Sequence, residues 1–366
     1  MEPADRPPDP VAELEHAAAR VLPRDVWDFA AGGSGRELAL RANREFLDRV
    51  FLQPRVMRDV SRCATGTTLL GRPARIPLAV APVAYHRLFH PDGELATARA
   101  AKTAGVPFTL GTLSSVPVEE VTAVGGEVWF QLYWLNDERR TLDLVRRAED
   151  AGCRAVVLTA DVPWMGRRAR DVRNGFALPD HVRAAHLELD TGSAAHRPAP
   201  GTSAVAAHTA GTFSAALTWR TLETLRAATA LPVVLKGVLD PRDARRAADL
   251  GADAVIVSNH GGRQLDGAAP GAMVLPQVAA AVEGHCEVLL DGGVRTGPDL
   301  LKALALGASG ALVGRPVLWG LAVDGEDGVH GVLDTLAEEF RDALGLAGCA
   351  TVEQAHDLAT VLMGTA

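Results

Sequence analysis

Cysteines are few in this sequence, and they lie far apart. The four are Cys63, Cys153, Cys286 and Cys349, and no two have the close spacing of a zinc knuckle or a redox CxxC motif. We therefore expect no metal site, and four reduced thiols of the kind found in a cytoplasmic protein.

Positive charge and long apolar runs are also scarce. The 366 residues include 37 Lys and Arg against 45 Asp and Glu, a formal charge of −8. This balance argues against a nucleic-acid partner, because phosphate contacts need an excess of cations. No apolar run reaches the roughly 18 residues of a membrane helix, so we expect no membrane partner. The N-terminus is polar and rich in proline, which predicts a disordered tail over residues 1–10.

Aromatic residues make up only 5% of the chain, and just two of them are tyrosines, Tyr85 and Tyr133. Hydrophobic residues, by contrast, make up 48% and charged residues 22%, which is average for a globular protein. The chain can therefore bury a large core, and a tyrosine at a functional position is an informative feature.

Short apolar runs rich in β-branched residues recur along the chain, with helical spacing between them. The eight runs are PLAVAP (77–82), PFTL (107–110), VWFQLY (128–133), RAVVLTAD (154–161), PVVLKG (232–237), AVIVSN (254–259), EVLLDGG (287–293) and GALVGR (310–315). Between two of them, for example, Leu142, Val145 and Ala148 fall three residues apart. Eight such units predict an α/β fold, a closed (β/α)8 TIM barrel with a parallel sheet.

We expect one domain over residues 11–366, although length alone would suggest two. It comprises an N-terminal helical cap (11–75) with a break at Gly32 and Gly33, the barrel (76–340) and a C-terminal helical segment (341–366). The fourth and fifth runs begin 78 residues apart, at 154 and 232, which indicates an insertion over about 180–217. Its small and polar composition predicts a long irregular lid loop after strand 4, over the carboxyl ends of the strands.

The active site of a TIM barrel lies at the carboxyl ends of its strands, and here those ends are polar. Any one of these residues is as easily structural as functional, but the set predicts an active site: Gln131, Tyr133, Thr159, Asp161, Lys236, Ser258, Asn259, His260, Asp291 and Arg315.

The segment SNHGGRQLD (258–266) has the chemistry of a base beside an anionic substrate. Two glycines separate His260 from Arg263, so both side chains can approach one small ligand. Imidazole is suited to proton transfer near neutral pH, and a guanidinium group binds a carboxylate with two hydrogen bonds. In DVPWMGRR (161–168), Arg167 or Arg168 could reach the same carboxylate from the opposite side.

The last two strand ends predict a phosphate site. DGGVRTG (291–297) and the pair Gly314–Arg315 offer glycine backbone amides and two arginines where this fold often binds phosphate. The spacing is not that of a dinucleotide fingerprint. Lys236 could in addition lie beside a delocalised anion. A phosphorylated flavin is the simplest ligand that accounts for both features.

These motifs resemble the FMN-dependent α-hydroxy-acid oxidases and dehydrogenases, which include glycolate oxidase, lactate oxidase and mandelate dehydrogenase. The similarity extends over nearly the whole chain and includes PRDVWDFAAGGSGRE (23–37), APVAYHRLFHPDGE (81–94), VLTADVPWMGRR (157–168), SNHGGRQLD and DGGVRTGPDLLKALALGASGALVGRP (291–316). Within the family, WDFAAGG and PVAYH look most like the 4-hydroxymandelate oxidases.

The resemblance implies a role for each matching residue. His260 would be the base, Asp161 would stabilise its imidazolium, Tyr133 would bond the substrate and Lys236 would stabilise charge on the flavin. Arg168, Arg263, Tyr133 and Phe29 would line the substrate site. FMN would be held by Pro82, Val83, Ala84, Gly111, Gln131, Thr159, Lys236, Ser258, Asp291, Gly292, Gly293, Arg295, Gly314 and Arg315.

Phe29 departs from the glycolate-type pattern, where a tyrosine hydroxyl touches the substrate carboxylate. Losing that hydrogen bond, worth roughly 1–3 kcal/mol, weakens binding of short polar substrates most. An aryl substrate such as mandelate or 4-hydroxymandelate is therefore expected, lined by Phe29, Leu113, Trp164 and Met165, with the electrons passing to O2 or another acceptor. The resemblance also suggests a homotetramer.

Three alternatives remain open from the sequence. In the first, the substrate is an aliphatic 2-hydroxy acid such as lactate or glycolate, and Phe29 only packs in the cap. A flavin barrel acting on a phosphorylated isoprenoid or a nucleotide shares the phosphate segment, but has no need of the pair formed by His260 and Arg263. A flavin-binding module without catalysis is the third.

Overall fold

Three helices and three short strands precede the barrel in the structure, a computed structural model that describes residues 9–187, 194–197, 201 and 203–364. The helices are α1 (Pro10–Val21), α2 (Arg24–Ala31) and α3 (Leu38–Arg49), and the strands are β1 (Val50–Leu52), β2 (Thr67–Leu69) and β3 (Arg72–Ala74). Helices thus form the first part of the expected cap, with a break after Ala31, whereas its second part contains three short strands instead of helix. Of the expected tail, residues 1–8 lie outside the described residues, whereas Pro10 already opens α1, which the Asp9 side chain caps.

Eight parallel strands form a closed barrel, as the sequence predicts. Every ladder within it is parallel, and β11 pairs with β4 to close the ring. The strands are β4 (Leu78–Val80), β5 (Phe108–Gly111), β6 (Val128–Leu132), β7 (Ala155–Thr159), β8 (Val233–Val238), β9 (Ala254–Val257), β10 (Glu287–Asp291) and β11 (Gly310–Val313).

Side chains alternate across the barrel wall. Val157 packs in the cluster that fills the barrel with Trp129 and Ile256, whereas Val156 belongs to the larger core between strands and helices. Burial on both faces explains why the strands appear as continuous apolar runs.

Helices connect these strands and cover the barrel. They are α4 (Glu94–Ala104), α5 (Val118–Ala123), α6 (Glu138–Asp150), α7 (Ala169–Asn174), α8 (Ala204–Thr212), α9 (Trp219–Ala228), α10 (Pro241–Asp249), α11 (Gly271–Val282), α12 (Gly297–Ala305) and α13 (Arg315–Leu346), the last interrupted at Asp324 and Gly325. Among the helices that the structure describes, none is both long and apolar enough to cross a membrane.

The insertion follows β7, which is the fourth strand of the barrel. It differs from the expected irregular loop. Its described part contains α8, which the Ser203 side chain caps at 3.2 Å from the Ala206 amide. Its backbone also pairs with the rest of the protein, since Leu135 and Phe213 form an antiparallel bridge. These contacts fix a helix that the Ala- and Thr-rich composition does not reveal. The expectation for residues 188–193, 198–200 and 202 lies outside the described residues.

The C-terminal segment is only partly helical, which corrects the prediction for 341–366. Helix α13 ends at Leu346, a 3-10 turn covers Glu353–Asp357, and strand β12 (Thr360–Leu362) pairs antiparallel with β1. A strand of three residues is too short to produce a readable period, and its partner lies more than 300 residues away.

Candidate functional site

A solvent-open cleft of about 1110 Å³ lies at the carboxyl ends of the barrel strands, and a smaller pocket of about 300 Å³ adjoins it. Together they bring most of the sequence-predicted residues to one place: Phe29, Pro82, Val83, Ala84, Gly111, Gln131, Tyr133, Thr159, Arg168, Lys236, His260, Arg263, Asp291, Gly292, Gly293, Arg295, Gly314 and Arg315. Asp161 and Ser258 do not line either pocket, but each bonds to residues that do.

His260 is held by bonds to its ring and to its backbone. Its Nδ1 lies 2.9 Å from Oδ1 of Asp161, and its amide donates to Oγ of Ser258 at 2.9 Å. Burial lowers the pKa of His260 below 6.5, although the Asp161 carboxylate opposes this shift. The imidazole is therefore neutral at pH 7 and able to accept a proton, with Asp161 placed to stabilise the charged form.

Close packing holds Asp161 in position. A Cβ on Gly237 would lie 2.5 Å from Cβ of Asp161, so a larger residue at the end of β8 would displace the carboxylate. In the same loop as His260, Gly262 has φ +75°, and a Cβ there would lie 2.4 Å from Cα of Leu40. Both glycines are thus required by the geometry of the base.

Two arginines flank the Phe29 ring. The guanidinium carbons of Arg168 and Arg263 lie 5.7 and 5.4 Å from its centroid, and the ring also stacks on Phe176, with the two centroids 4.5 Å apart. Arg263 is anchored by donating to the carbonyl of Gly32 at 2.8 Å. Paired guanidiniums beside an aromatic ring form a site for the carboxylate of an apolar acid.

Asp171 lies behind these arginines. It is 1% exposed, and its Oδ2 is 3.8 Å from the Arg168 guanidinium. Among the described residues, neither its carboxylate oxygens nor Nε of Arg168 has a hydrogen-bond partner. Burial lowers the pKa of Arg168 and raises the pKa of Asp171, so each group depends on the other for its charged form.

Lys236, Ser258 and Asp291 form a buried polar network at the bottom of the cleft. Nζ of Lys236 lies 2.8 Å from Oδ2 of Asp291, and Ser258 Oγ donates to the same oxygen at 2.7 Å. Burial favours the neutral amine, but the attraction of Asp291 and Asp161 outweighs it and raises the pKa of Lys236. Lys236 therefore stays protonated and places a positive charge beside a ligand in the cleft.

The adjoining pocket has an amide and a hydroxyl in its wall. Gln131 donates from Nε2 to Thr159 Oγ1 at 2.9 Å and accepts at Oε1 from the Thr112 amide at 3.1 Å. Gly111 leaves space here, because a Cβ would meet nothing closer than 3.5 Å. The pocket thus presents polar groups in fixed orientations beside the backbone of residues 82–84.

Two half-buried cations, Arg295 and Arg315, fit a phosphate. Within the described part of the chain, neither Arg295 nor Arg315 forms an ion pair with a carboxylate, and Arg315 donates only to the carbonyls of Ala30, Gly32 and Gly261. Burial and repulsion from Arg295 lower the pKa of Arg315 to about 9. Half-buried cations without an ion-pair partner favour an anionic ligand, and the glycine backbone at 292 and 293, with φ of +109° and +89°, lies beside them. The residues present therefore fit the phosphate, the ribityl chain and the charged ring edge of FMN.

The structure also shows site residues that the sequence analysis missed. Val205, Thr209 and Phe213 line the cleft from the insertion, and Phe213 stacks on Tyr133 at 4.4 Å. The spacing of four residues between them is the sequence feature that could have indicated a shared face. Leu113 and Met165 line the cleft as expected, whereas Trp164 does not, and its side chain is 66% exposed.

Comparison with known proteins agrees with this geometry. Residues 18–361 match the family model described as FMN-dependent dehydrogenase. The chain is 62% identical to a 4-hydroxymandelate oxidase of Amycolatopsis orientalis, over 96% of this chain and 98% of that protein. It is 46% identical to an L-lactate oxidase of Nostoc sp., covering 93% of this chain and 94% of that one. A crystal structure of mandelate oxidase with (S)-4-hydroxymandelic acid, also 62% identical, superposes with a TM-score of 0.94 over 96% of this chain and 98% of that one.

The family match spans most of the chain and agrees with the cationic cleft, so two of the alternative readings lose their basis: the isoprenoid or nucleotide enzyme, and the binding module without catalysis. The chain belongs to the FMN-dependent dehydrogenase family, and it is an enzyme that uses FMN to oxidise a 2-hydroxy acid to the 2-oxo acid.

Proposed function

We propose that the substrate is an aryl 2-hydroxy acid, mandelate or 4-hydroxymandelate, and that O2 reoxidises the cofactor. The observation that carries this proposal is Phe29, which places an aromatic ring within 6 Å of both guanidinium groups, where a tyrosine would place a hydroxyl. Leu113 and Met165 add apolar surface to the same cleft. Identity of 62% to a 4-hydroxymandelate oxidase supports the same class of substrate.

FMN, when bound, supplies the acceptor for the two electrons removed from the substrate. Arg295, Arg315 and the glycines 292, 293 and 314 would hold its phosphate and ribityl chain together with Asp291. Pro82, Val83, Ala84, Gly111, Gln131 and Thr159 would surround the ring system, with Lys236 at its charged edge and Ser258 supporting Lys236.

His260 takes up the proton that the substrate loses. Because Nδ1 is engaged with Asp161, the proton goes to Nε2. The Asp161 carboxylate then stabilises the imidazolium.

The carboxylate of the substrate is bound by Arg168 and Arg263. Tyr133 donates its hydroxyl hydrogen to the hydroxyl and carboxylate end of the substrate. Burial and the nearby Asp161 raise the pKa of Tyr133 to about 12, so this group stays protonated at neutral pH. Tyr133 is thus a hydrogen-bond donor throughout the reaction.

The experiment is an assay of oxygen uptake and peroxide formation with the FMN-loaded protein. (S)-Mandelate should be consumed with formation of phenylglyoxylate and one peroxide per turnover. His260→Ala, which removes the base, should lose about 10²- to 10⁴-fold in rate while keeping its FMN. Rapid oxidation of lactate with none of mandelate would contradict the aryl proposal, and flavin reduction without oxygen uptake would contradict the choice of acceptor.

We also propose a homotetramer in the cytoplasm. Exposed Phe51, Val361 and Leu362 on the β1–β12 sheet support association, and four unbridged cysteines support a reducing compartment. Light scattering on the purified protein measures the assembly directly. A monomer at micromolar concentration would contradict the tetramer.

A further inference from the structure

Helix α8 presents one row of side chains to the cleft. Val205 and Thr209 are four residues apart on one face of α8, and Phe213 follows four residues later as the extended residue that ends the helix. All three are buried and all three line the cleft. The insertion therefore contributes a wall of the substrate site with one hydroxyl between two apolar side chains.

The position of this row is fixed by backbone contacts at both ends of α8. At its start, the Ala204 amide donates to the carbonyl of Phe176 at 3.0 Å. At its end, the Asn136 amide donates to Thr212 at 3.0 Å and the Ser214 amide donates to Trp134 at 2.8 Å. The row is thus held between Phe176, which stacks on Phe29, and Tyr133, which stacks on Phe213.

Thr209 offers an unsaturated acceptor on this wall. Its Oγ1 donates a hydrogen bond to the carbonyl of Ala206 at 3.0 Å, which uses its single hydrogen and leaves its lone pairs able to accept. Its surroundings on the helix are the apolar Val205 and Phe213, so a ligand hydroxyl reaching it would be shielded from water.

Two other uncharged polar side chains that line the cleft are less suitable. Gln264 is more constrained, since Nε2 donates both of its hydrogens to the carbonyls of Asp161 and Trp164 and Oε1 already accepts from the Gly166 amide. Tyr133 lies in the field of Asp161 and Lys236, at the reacting end of the site. Thr209 is therefore an acceptor that this wall offers to the ring of the substrate.

We propose that Thr209 accepts a hydrogen bond from a hydroxyl at the para position of the substrate ring. The para carbon is opposite the side chain that carries the carboxylate, and Arg168 and Arg263 hold that carboxylate in the same cleft. Val205 and Phe213 pack against the ring. This inference rests on the proposed function and narrows its substrate class to 4-hydroxyaryl 2-hydroxy acids.

The test compares 4-hydroxymandelate with mandelate in the FMN-loaded wild type and in three variants. Thr209→Val keeps the shape and removes the acceptor, so the ratio of kcat/KM for the two substrates should fall by about 5- to 10-fold. Thr209→Ser keeps a hydroxyl and should retain the wild-type ratio within about twofold. Thr212→Val is the matched control, because Thr212 lies on α8, bonds to the His208 carbonyl in the same way and does not line the cleft.

Binding of the products provides a second readout. Calorimetry with 4-hydroxyphenylglyoxylate and phenylglyoxylate should show the same loss of discrimination in Thr209→Val and none in Thr212→Val. An unchanged ratio in Thr209→Val, with its FMN content and Tm preserved, overturns the inference and leaves the proposed function intact. A wild type that oxidises neither aryl acid instead overturns the proposed function itself.

Discussion

The catalytic base depends on three neighbours that differ in chemistry. Asp161 accepts at the ring, Ser258 accepts from the backbone amide, and Gly237 leaves the space that Asp161 needs. His260 itself has φ +58°, a strained conformation for a residue with a Cβ. These constraints hold the imidazole at the cleft, and its burial keeps it neutral at pH 7.

The pH profile of the enzyme should report this base. Because burial lowers the pKa of His260, kcat/KM for mandelate should be retained above that pKa and lost as pH falls through it, with the acid limb below pH 6.5. Asp161→Asn removes the group that raises this pKa, so the limb should move to lower pH while the plateau falls roughly 10²-fold or more. A limb that moves to higher pH in Asp161→Asn would show that Asp161 does not stabilise the imidazolium.

Asp171 should act through Arg168. Asp171→Asn removes the buried counter-charge, so the guanidinium is held less firmly and KM for mandelate should rise about tenfold, or about 1.4 kcal/mol, with a smaller effect on kcat. Asp180→Asn, at an exposed carboxylate, is the control. An equal loss in kcat and none in KM would assign Asp171 a role other than positioning the carboxylate site.

Residue types at strand ends were predictable because their chemistry is visible in the sequence. His260, Arg263 and Lys236 follow recognisable strands, and the structure places all three in one cleft. Thr209 and Asp171 were not predictable in this way. Their importance depends on where α8 and α7 dock, which is decided by contacts with distant segments such as 134–136.

At the scale of elements, the loop after β9 is packed directly against the cap. Gly262 approaches Leu40 of α3, and its carbonyl accepts from the Ser34 amide at 3.0 Å. The cap helices therefore determine where His260 and Arg263 lie. The eight barrel strands could be predicted from the sequence because each is buried on both faces and forms an apolar run. Helix α8 and strand β12 are instead determined by tertiary contacts, and their sequences show no hydrophobic periodicity.

Gly262→Ala should disturb this junction. The added Cβ meets α3 and also strains a positive φ, so we expect a loss of about 1–3 kcal/mol in the free energy of unfolding, together with lower activity. Gly267→Ala is the control, since its φ is +91° but a Cβ there meets nothing within 4 Å. Chemical denaturation of both variants separates contact from backbone strain. Equal losses would mean that the contact with Leu40 contributes nothing.

The whole molecule combines a negative total charge with a positive site. The formal charge is −8, yet Lys236, Arg168, Arg263, Arg295 and Arg315 all line one cleft. Lys236 is paired with Asp291, but repulsion among the arginines destabilises the protein without its cofactor, and an anionic ligand relieves it. Net charge thus argued against a nucleic-acid partner but gave no indication of the positive charge within the cleft.

Binding of FMN should accordingly stabilise the fold, and we expect the phosphate group to account for most of this stabilisation. FMN at about 100 times its Kd should add about 2.7 kcal/mol to the free energy of unfolding of the FMN-free protein. Riboflavin at the same concentration should raise Tm far less. Arg315→Gln should reduce the difference between the two ligands, whereas the exposed Arg167→Gln should not. Equal stabilisation by riboflavin and FMN would refute the assignment of Arg295 and Arg315 to the phosphate.

The central claim is the identity of the substrate class, and anaerobic reduction of the bound flavin tests it most directly. Stopped-flow traces would be compared for mandelate, 4-hydroxymandelate, lactate and glycolate on the same FMN-loaded protein. We expect both aryl acids to reduce the flavin with kcat/KM at least about tenfold above the aliphatic acids, because the ring packs against Phe29 and its apolar neighbours. Faster reduction by lactate or glycolate would contradict the account.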